Sequence, residues 1–165
     1  MKKVLYGLLV LFGIGLFVYI LLPAPKFPNP PPGSVQSMED ADVESPLRRA
    51  YFTDYTREEV IAHYENQFRY RVFTFTLNYP PENAQTLIRD QTRSQYLEEL
   101  VHPFRESVYV NGFIAQKAQD EIWYKGIHYQ EKITIKYVPS SVLLRGFISI
   151  LTLGLMAWMI HEYVN

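Results

Sequence analysis

Both ends of this chain are apolar, and no other feature limits so severely what it can fold into. Val4–Leu22 carries no charged residue, and as a helix these nineteen residues extend roughly 28 Å, a match for the ~30 Å hydrocarbon core of a bilayer. Lys2 and Lys3 precede the run, a pattern shared by secretory signals and permanent anchors. Three details favour the anchor. The run is longer than the apolar core of a signal peptide. The nearest small-residue cleavage site would set Ala24 before the cut and Pro25 after it, where the fixed proline backbone obstructs a peptidase. No cysteine follows to accept a lipid. The expectation is an uncleaved transmembrane helix over residues 4–22.

Val142–Ile160 is the second candidate span, interrupted only by Arg145. Near a helix end a long arginine side chain can reach the headgroups while its stem stays in the apolar layer. Tyr6 and Tyr19 on the first run, and Trp158 and Tyr163 on the second, suit rings lying at the two interfaces. A buried core helix is the rival reading, but the run is longer and more uniformly apolar than one face of a small domain requires. Two spans put both termini on one side, and Lys2 and Lys3 favour the cytoplasm; residues 23–141 are then extracytoplasmic and the protein integral to the cell membrane. Lys132, Lys136 and Arg145 argue mildly the other way, although so long a loop is largely exempt from charge counting.

With 165 residues, a formal charge of -1 and 15% aromatic content, the chain is no nucleic-acid binder and has room for one compact domain. It has no cysteine, so disulfide frameworks, zinc ribbons and thiol chemistry are excluded. Pro23–Gly33 holds six prolines, which favour polyproline II and predict a stiff spacer of roughly 34 Å. "PKFP" within it fits a PxxP ligand, but a spacer explains it without a partner. Residues 34–46, "SVQSMEDADVESP", are acidic and poor in apolar residues and are read as a mobile linker, so residues 23–46 form spacer and linker. Only "VPSS" separates Tyr137 from the second span, which sets the domain close against the bilayer. The spacer should therefore climb the side of the domain, leaving Leu47 farther from the bilayer than Pro139.

Residues 47–138 read as an α+β domain: a small, mostly antiparallel sheet with helices on one face, flanked by the two transmembrane helices. "YTREEVIAHYENQF" opens with a capping box, Thr56 to Glu59, and a hydrophobic staple, Tyr55 to Val60; Val60, Ile61, Tyr64 and Phe68 then line one helical face. "VFTFTLNY" alternates Phe73, Phe75, Leu77 and Tyr79 with polar residues, as a half-buried strand does, and Pro80 and Pro81 end it. "ENAQTLIRDQTRSQYLEELV" sets Ala84, Leu87 and Ile88, then Leu97, Leu100 and Val101, at helical intervals and predicts one helix or two, stopped by Pro103. "ESVYVNGF" predicts a strand ending in a turn at Asn111-Gly112, and "KAQDE" a loop. Ile127–Tyr137 alternates as one long strand, fed from "IWY" through a hairpin turn at Lys125-Gly126.

The phrases "YFTDYTREEVIAHYENQF", "HPFRESVYVNG" and "KITIKYVPSS", with a span on each flank, resemble a group of uncharacterised bacterial two-span membrane proteins. The likeness covers nearly the whole chain. That group has no assigned activity, so the resemblance implies the architecture and no site residues.

Few residues suggest chemistry. Gly7, Gly13 and Gly15 match neither a phosphate loop nor GxxxG spacing, and ordinary tolerance of glycine in membrane helices explains them. His161-Glu162 begins like HExxH, but residue 165 is Asn, and no other histidine has metal-ligand spacing. "RDQTR" puts Arg89 and Arg93 at i, i+4 with Asp90 beside them, a candidate clamp for phosphate or carboxylate, although surface ion pairing is the commoner use. Glu131 interrupts the apolar face of the last strand, as a catalytic carboxylate would, or as a residue at a bulge or sheet rim would. Lys132 and Lys136 could meet anionic lipid headgroups. No catalytic residue, metal ligand or cofactor is assigned. The reading is a membrane protein displaying a non-catalytic interaction or scaffold module, with lipid and a membrane-protein partner. The alternative is an envelope enzyme using Asp90, His102 or Glu131, or a ligand-sensing subunit signalling through a partner. An enzyme requires its acid, base or nucleophile to converge in one pocket.

Overall fold

The computed structural model describes the backbone of residues 2–69, 74–89 and 93–164, and the side chains of 7–69, 74–89 and 93–162. The expectations placed on Phe73, on Asp90 and on the side chains of Lys2, Lys3, Tyr6 and Tyr163 lie outside the described residues. The chain divides into two compact units, one made of its two ends and the other running from Pro25 to Val138.

The second unit is α+β, and every strand pair in it is antiparallel. Its main sheet comprises β1 (Val35–Gln36), β2 (Arg48–Thr53), β3 (Phe75–Tyr79), β4 (Tyr96–Val101), β5 (Ser107–Ile114) and β8 (Glu131–Val138), in the order β1-β2-β8-β5-β4-β3. β6 (Ile122–Tyr124) and β7 (Ile127–Tyr129) form a separate hairpin. Lys125 and Gly126 turn it with φ of 52° and 78°, the two positive values that a tight type I′ connection requires.

One face of the main sheet carries Tyr51, Tyr96, Leu100, Val108, Val110, Ile133, Ile135 and Tyr137, and the long helix lies over it through Val60, Tyr64 and Phe68. That helix, which we number α3 (Arg57–Phe68), begins at the expected capping box: Glu59 N–H meets Thr56 Oγ1 at 3.4 Å, and Thr56 N–H meets Glu59 Oε2 at 2.9 Å. The expectation of helices on one face only is not met. Phe52 packs with Ile122 and Tyr129 of the hairpin, and Leu97 with Ala84 of the short helix α4 (Ala84–Leu87) and with Ile88 just after it, both on the opposite face. Alternation on β4, Tyr96 one way and Leu97 the other, leaves apolar groups on both sides of the sheet, so both sides are covered.

Four element assignments from the sequence are corrected. Residues 96–101 are a central strand rather than a helix: Leu and Glu favour helix intrinsically, but pairing of β4 with both β3 and β5 overrides that preference. Asn111-Gly112 is no turn, because β5 continues through both residues to Ile114 opposite β8. Ile127–Tyr137 is two strands broken at Gln130, whose N–H binds Asp54 Oδ1 at 3.0 Å; across the break the alternation flips, so that Tyr129 packs on Phe52 while Glu131 stays on the face of Ile133. The half-buried strand at 75–79 is an exposed edge strand. "KAQDE" contains a single 3-10 turn at Ala118–Asp120.

Residues 34–46 are also ordered. Val35–Gln36 forms the edge strand β1, and Asp40–Val43 forms α2, with Asp42 buried. The proline run before them packs on the unit rather than standing off it. Tyr137 donates its hydroxyl to Pro25 O at 3.0 Å, Phe27 packs edge-on to Tyr137, and Asn29 is bonded to Gln67 of α3. From Pro25 beside Tyr137 to Val35 beside Phe52, the chain runs along the length of β8. Leu47 lies back at the Tyr137 end. Its carbonyl accepts from Tyr137 N–H at 2.8 Å, so α2 and the turn after it have brought the chain back to the end of β8 at which the unit finishes.

The terminal unit is a pair of helices, α1 (Lys2–Leu21) and α5 (Val142–Val164). Over Val142–Glu162, α5 is long and apolar enough to cross a membrane; the described apolar stretch of α1, Gly7–Leu21, is shorter. A side-chain carbon added at Gly13 would touch Leu153, and one at Gly146 would come within 3.1 Å of Leu21, so the helices run antiparallel and close where Gly146 leaves room. Gly7 and Gly15 meet nothing, which leaves them as tolerated glycines. Arg145 is buried, and it donates to Leu22 O at 3.2 Å, just past the last turn of α1, where unsatisfied carbonyls and the negative end of the helix dipole favour a cation.

Gly112 has no room for a side chain, because a side-chain carbon there would overlap both Tyr96 and Glu131. Gly112→Ala should cost roughly 3 kcal/mol or abolish folding, whereas Gly13→Ala, which makes only ordinary contact, should be nearly silent; thermal unfolding followed by near-UV circular dichroism distinguishes them.

Candidate functional site

Two clusters of buried polar groups lie at the two ends of α3. At its first turn, Tyr96 of β4 and Glu131 of β8 lean together over Gly112 of the intervening strand β5, and the Tyr96 hydroxyl donates a short hydrogen bond to Glu131 Oε1. Arg57 covers the pair. Its guanidinium lies 5.2 Å from the centre of the Tyr96 ring and donates to Glu98 Oε1 through Nε at 2.9 Å and through Nη2 at 2.5 Å. Glu131 is 1% exposed, and its second oxygen has no hydrogen-bond partner among the described residues.

Burial pushes the Glu131 carboxyl up to about 7; Tyr96 opposes the shift by hydrogen bonding, Glu58 adds to it, and Arg57 opposes it weakly. Burial likewise raises Tyr96, with the Glu131 charge adding to the effect. The cluster therefore holds a proton near neutrality in a closed setting. Glu98 and Glu99, adjacent on β4, are both satisfied, one by Arg57 and the other by the Tyr79 hydroxyl at 2.7 Å. The sequence points to Glu131 but not to Tyr96, Arg57 or Glu98. The one available signal is Gly112, a glycine inside a strand, which marks close approach of other groups.

At the last turn of α3, Phe68 stacks on His102 with ring centres 4.1 Å apart. His102 Nδ1 lies 2.9 Å from Glu106 Oε1, which also receives Arg105 at 2.7 Å. His102 and Glu131 are thus separated by the length of α3, roughly 18 Å, and do not converge on one substrate. Among the described residues no group of three or more His, Asp or Glu side chains could hold a metal ion.

α4 ends at Leu87 and Arg89 has φ 67°, so Arg89 itself is not helical. Arg89 pairs with Glu44 at 2.5 Å and Arg93 with Asp120 at 2.5 Å, each engaged with a carboxylate from a different segment. Asp90 lies outside the described residues. Lys132 and Lys136 are likewise committed within the unit. Lys132 Nζ sits 2.7 Å from both Asp42 and Glu39, whose hydrogen bonds outweigh the opposing effect of burial and raise its pKa, and Lys136 Nζ donates to Leu87 O at 2.5 Å.

Because Glu131 moves from 4.5 to about 7, its folded-state preference for the proton stabilises the unit fully below pH ~4.5 and is lost as pH rises through about 7. Glu131→Gln should flatten the fall in stability between pH 5 and 8 and raise stability at pH 8, by at most on the order of 3 kcal/mol; denaturant unfolding across that range measures both effects.

No family model, curated protein or solved structure matches the chain, so these residues and their surroundings carry any functional reading by themselves.

Proposed function

We propose that the chain is a two-span integral membrane protein that displays its α+β unit as a non-catalytic interaction module at the membrane surface, in line with the bacterial two-span proteins it resembles. One observation carries this reading: α1 and α5 expose large apolar side chains along their lengths, among them Phe12 at 70% and Leu143 at 86%, while pairing with each other. Apolar area left in water forfeits about 25 cal/mol per Å², and contiguous surfaces of this kind mark contact with lipid or protein. In a bilayer that cost disappears, and the buried Arg145 is accommodated by the carbonyl end of α1.

The non-catalytic part of the reading is supported by the distance between His102 and Glu131 and by the closure of the Glu131 cluster. The surface offered to a partner is the β6–β7 hairpin. Trp123 and Ile127 are exposed there, Trp123 packs against His128, and the hairpin leads into the Glu131 end of β8, remote from Val138. Such an exposed aromatic, flanked by polar groups, is the usual anchor of a protein interface. With Lys2 and Lys3 on the cytoplasmic side of the cell membrane, this unit faces outward.

Since the chain has no cysteine, a single Met38→Cys on the exposed surface of the unit reports topology directly. The full chain should stay in the membrane pellet after alkaline carbonate washing, and an impermeant maleimide should label residue 38 on intact cells. Release into the wash would overturn the two-span reading, and labelling only after lysis would reverse the orientation.

A further inference from the structure

The end of the sheet at which β8 finishes is apolar at its rim. β8 ends at Val138, which pairs with Ser107 at the start of β5; Ser107 also pairs with Val101 at the end of β4, and Val101 with Phe75 at the start of β3. Leu47 joins the same end through its bond to Tyr137. Leu47, Phe75 and Val138 all expose apolar surface there, and between β4 and β5 the turn tip carries Phe104, 81% exposed.

Phe104 breaks a local rule. His102-Pro103-Phe104-Arg105 is closed by Arg105 N–H to His102 O at 3.0 Å, and Phe104 has φ 59°. Proline second and a positive φ third define a type II turn, whose third position belongs to glycine or asparagine. A phenylalanine there costs about 1 kcal/mol of backbone strain, and its ring, left in solvent, recovers little of it by packing within the unit. Residues that violate local preference without local compensation mark function.

The occupant follows from chain continuity. Three residues separate Val138 from Val142, where α5 begins, a stretch that reaches roughly 14 Å at most. If α5 spans, Val138 lies within that distance of the span's entry. The charge at this end suits a lipid surface: Lys26, next to Pro25, and Arg69, next to Phe68, are exposed cations, while Glu106 is already bound by His102 and Arg105. We infer that the turn bearing Phe104, with the rim formed by Leu47, Phe75 and Val138, is a lipid-contact surface that inserts the Phe104 ring into the headgroup region of a bilayer containing anionic lipid. This rests on reading α5 as a span.

The full chain, reconstituted in phosphatidylethanolamine–phosphatidylglycerol vesicles, provides the test. Single thiols at Phe104→Cys, Ile127→Cys and Leu151→Cys carry an environment-sensitive dye, and lipids spin-labelled at known depths quench it. Residue 104 should be quenched from the headgroup region at least about twofold more than 127, and residue 151 from the acyl region. Quenching at 151, with 104 no stronger than 127, would overturn the lipid contact and leave the two-span reading standing. No quenching at any site would overturn both. As a second measure that keeps an aromatic ring in place, Phe104→Trp in a chain carrying W123F and W158F should show blue-shifted emission quenched by brominated lipid; emission like that of free indole in water would overturn the inference.

Discussion

Tyr137 ties the two ends of the folded unit together. Its N–H binds Leu47 O, its hydroxyl binds Pro25 O, and its ring packs in the core that α3 covers. One residue near the end of the central strand thus holds the point where the unit begins and the point where the chain returns to start β2. β8 comes last in the chain but lies between β2 and β5, so the sheet is complete only when its final strand is inserted, and the pairing is dominated by contacts distant in sequence. Topologies of that kind fold slowly, because loop closure must precede the contacts that compensate for it.

Elements whose signal is local were legible in the sequence. The capping box at Thr56 and the apolar stripe through Phe68 define α3 without reference to any other segment, and Lys125-Gly126 turns a hairpin by the same logic. β4 was not legible. "YLEELV" has the composition of a helix, and its two glutamates conceal the period of two, since their partners, Arg57 for one and Tyr79 for the other, lie far away in the chain. Residues 34–46 were misread for a related reason: a short acidic segment looks unable to bury anything, yet Asp42 is buried because Lys132 and Arg48 from the neighbouring strands approach it. In both places a charge was read as solvent-facing when its partner lay on a distant strand.

Glu131 belongs to the same class but differs in consequence. Its apolar surroundings were visible from alternation; that it is held by a tyrosine, over a glycine, required three strands to be brought side by side. A buried carboxyl whose one hydrogen bond among the described residues comes from a hydroxyl is less stabilising than a methionine or leucine of similar volume would be. Removing Tyr96 would leave the carboxyl without that donor, and adding a side chain at Gly112 would displace both. The three positions therefore act as one unit, and the effects of substituting them will not add.

The proline run shows how the same stiffness can serve an unexpected end. Polyproline II has no internal hydrogen bonds, and proline has no N–H to offer, so between Pro28 and Pro32 only Asn29 presents both a donor and an acceptor. Gln67 takes both: its Oε1 accepts from Asn29 N–H at 2.9 Å, and its Nε2 donates to Asn29 O at 2.9 Å, so a side-chain amide supplies one rung of a ladder that has no second strand. His63 adds a contact to the same carbonyl at 3.0 Å, and Arg49 lies 4.8 Å from the centre of the Phe27 ring, which is itself packed on Tyr137. The segment is nearly rigid before it docks, so little backbone entropy is lost in fixing it, and a few contacts suffice. What the composition offers as a spacer is used as a strap across α3 and β8, and the run of prolines is what makes so sparse a set of contacts enough to hold it.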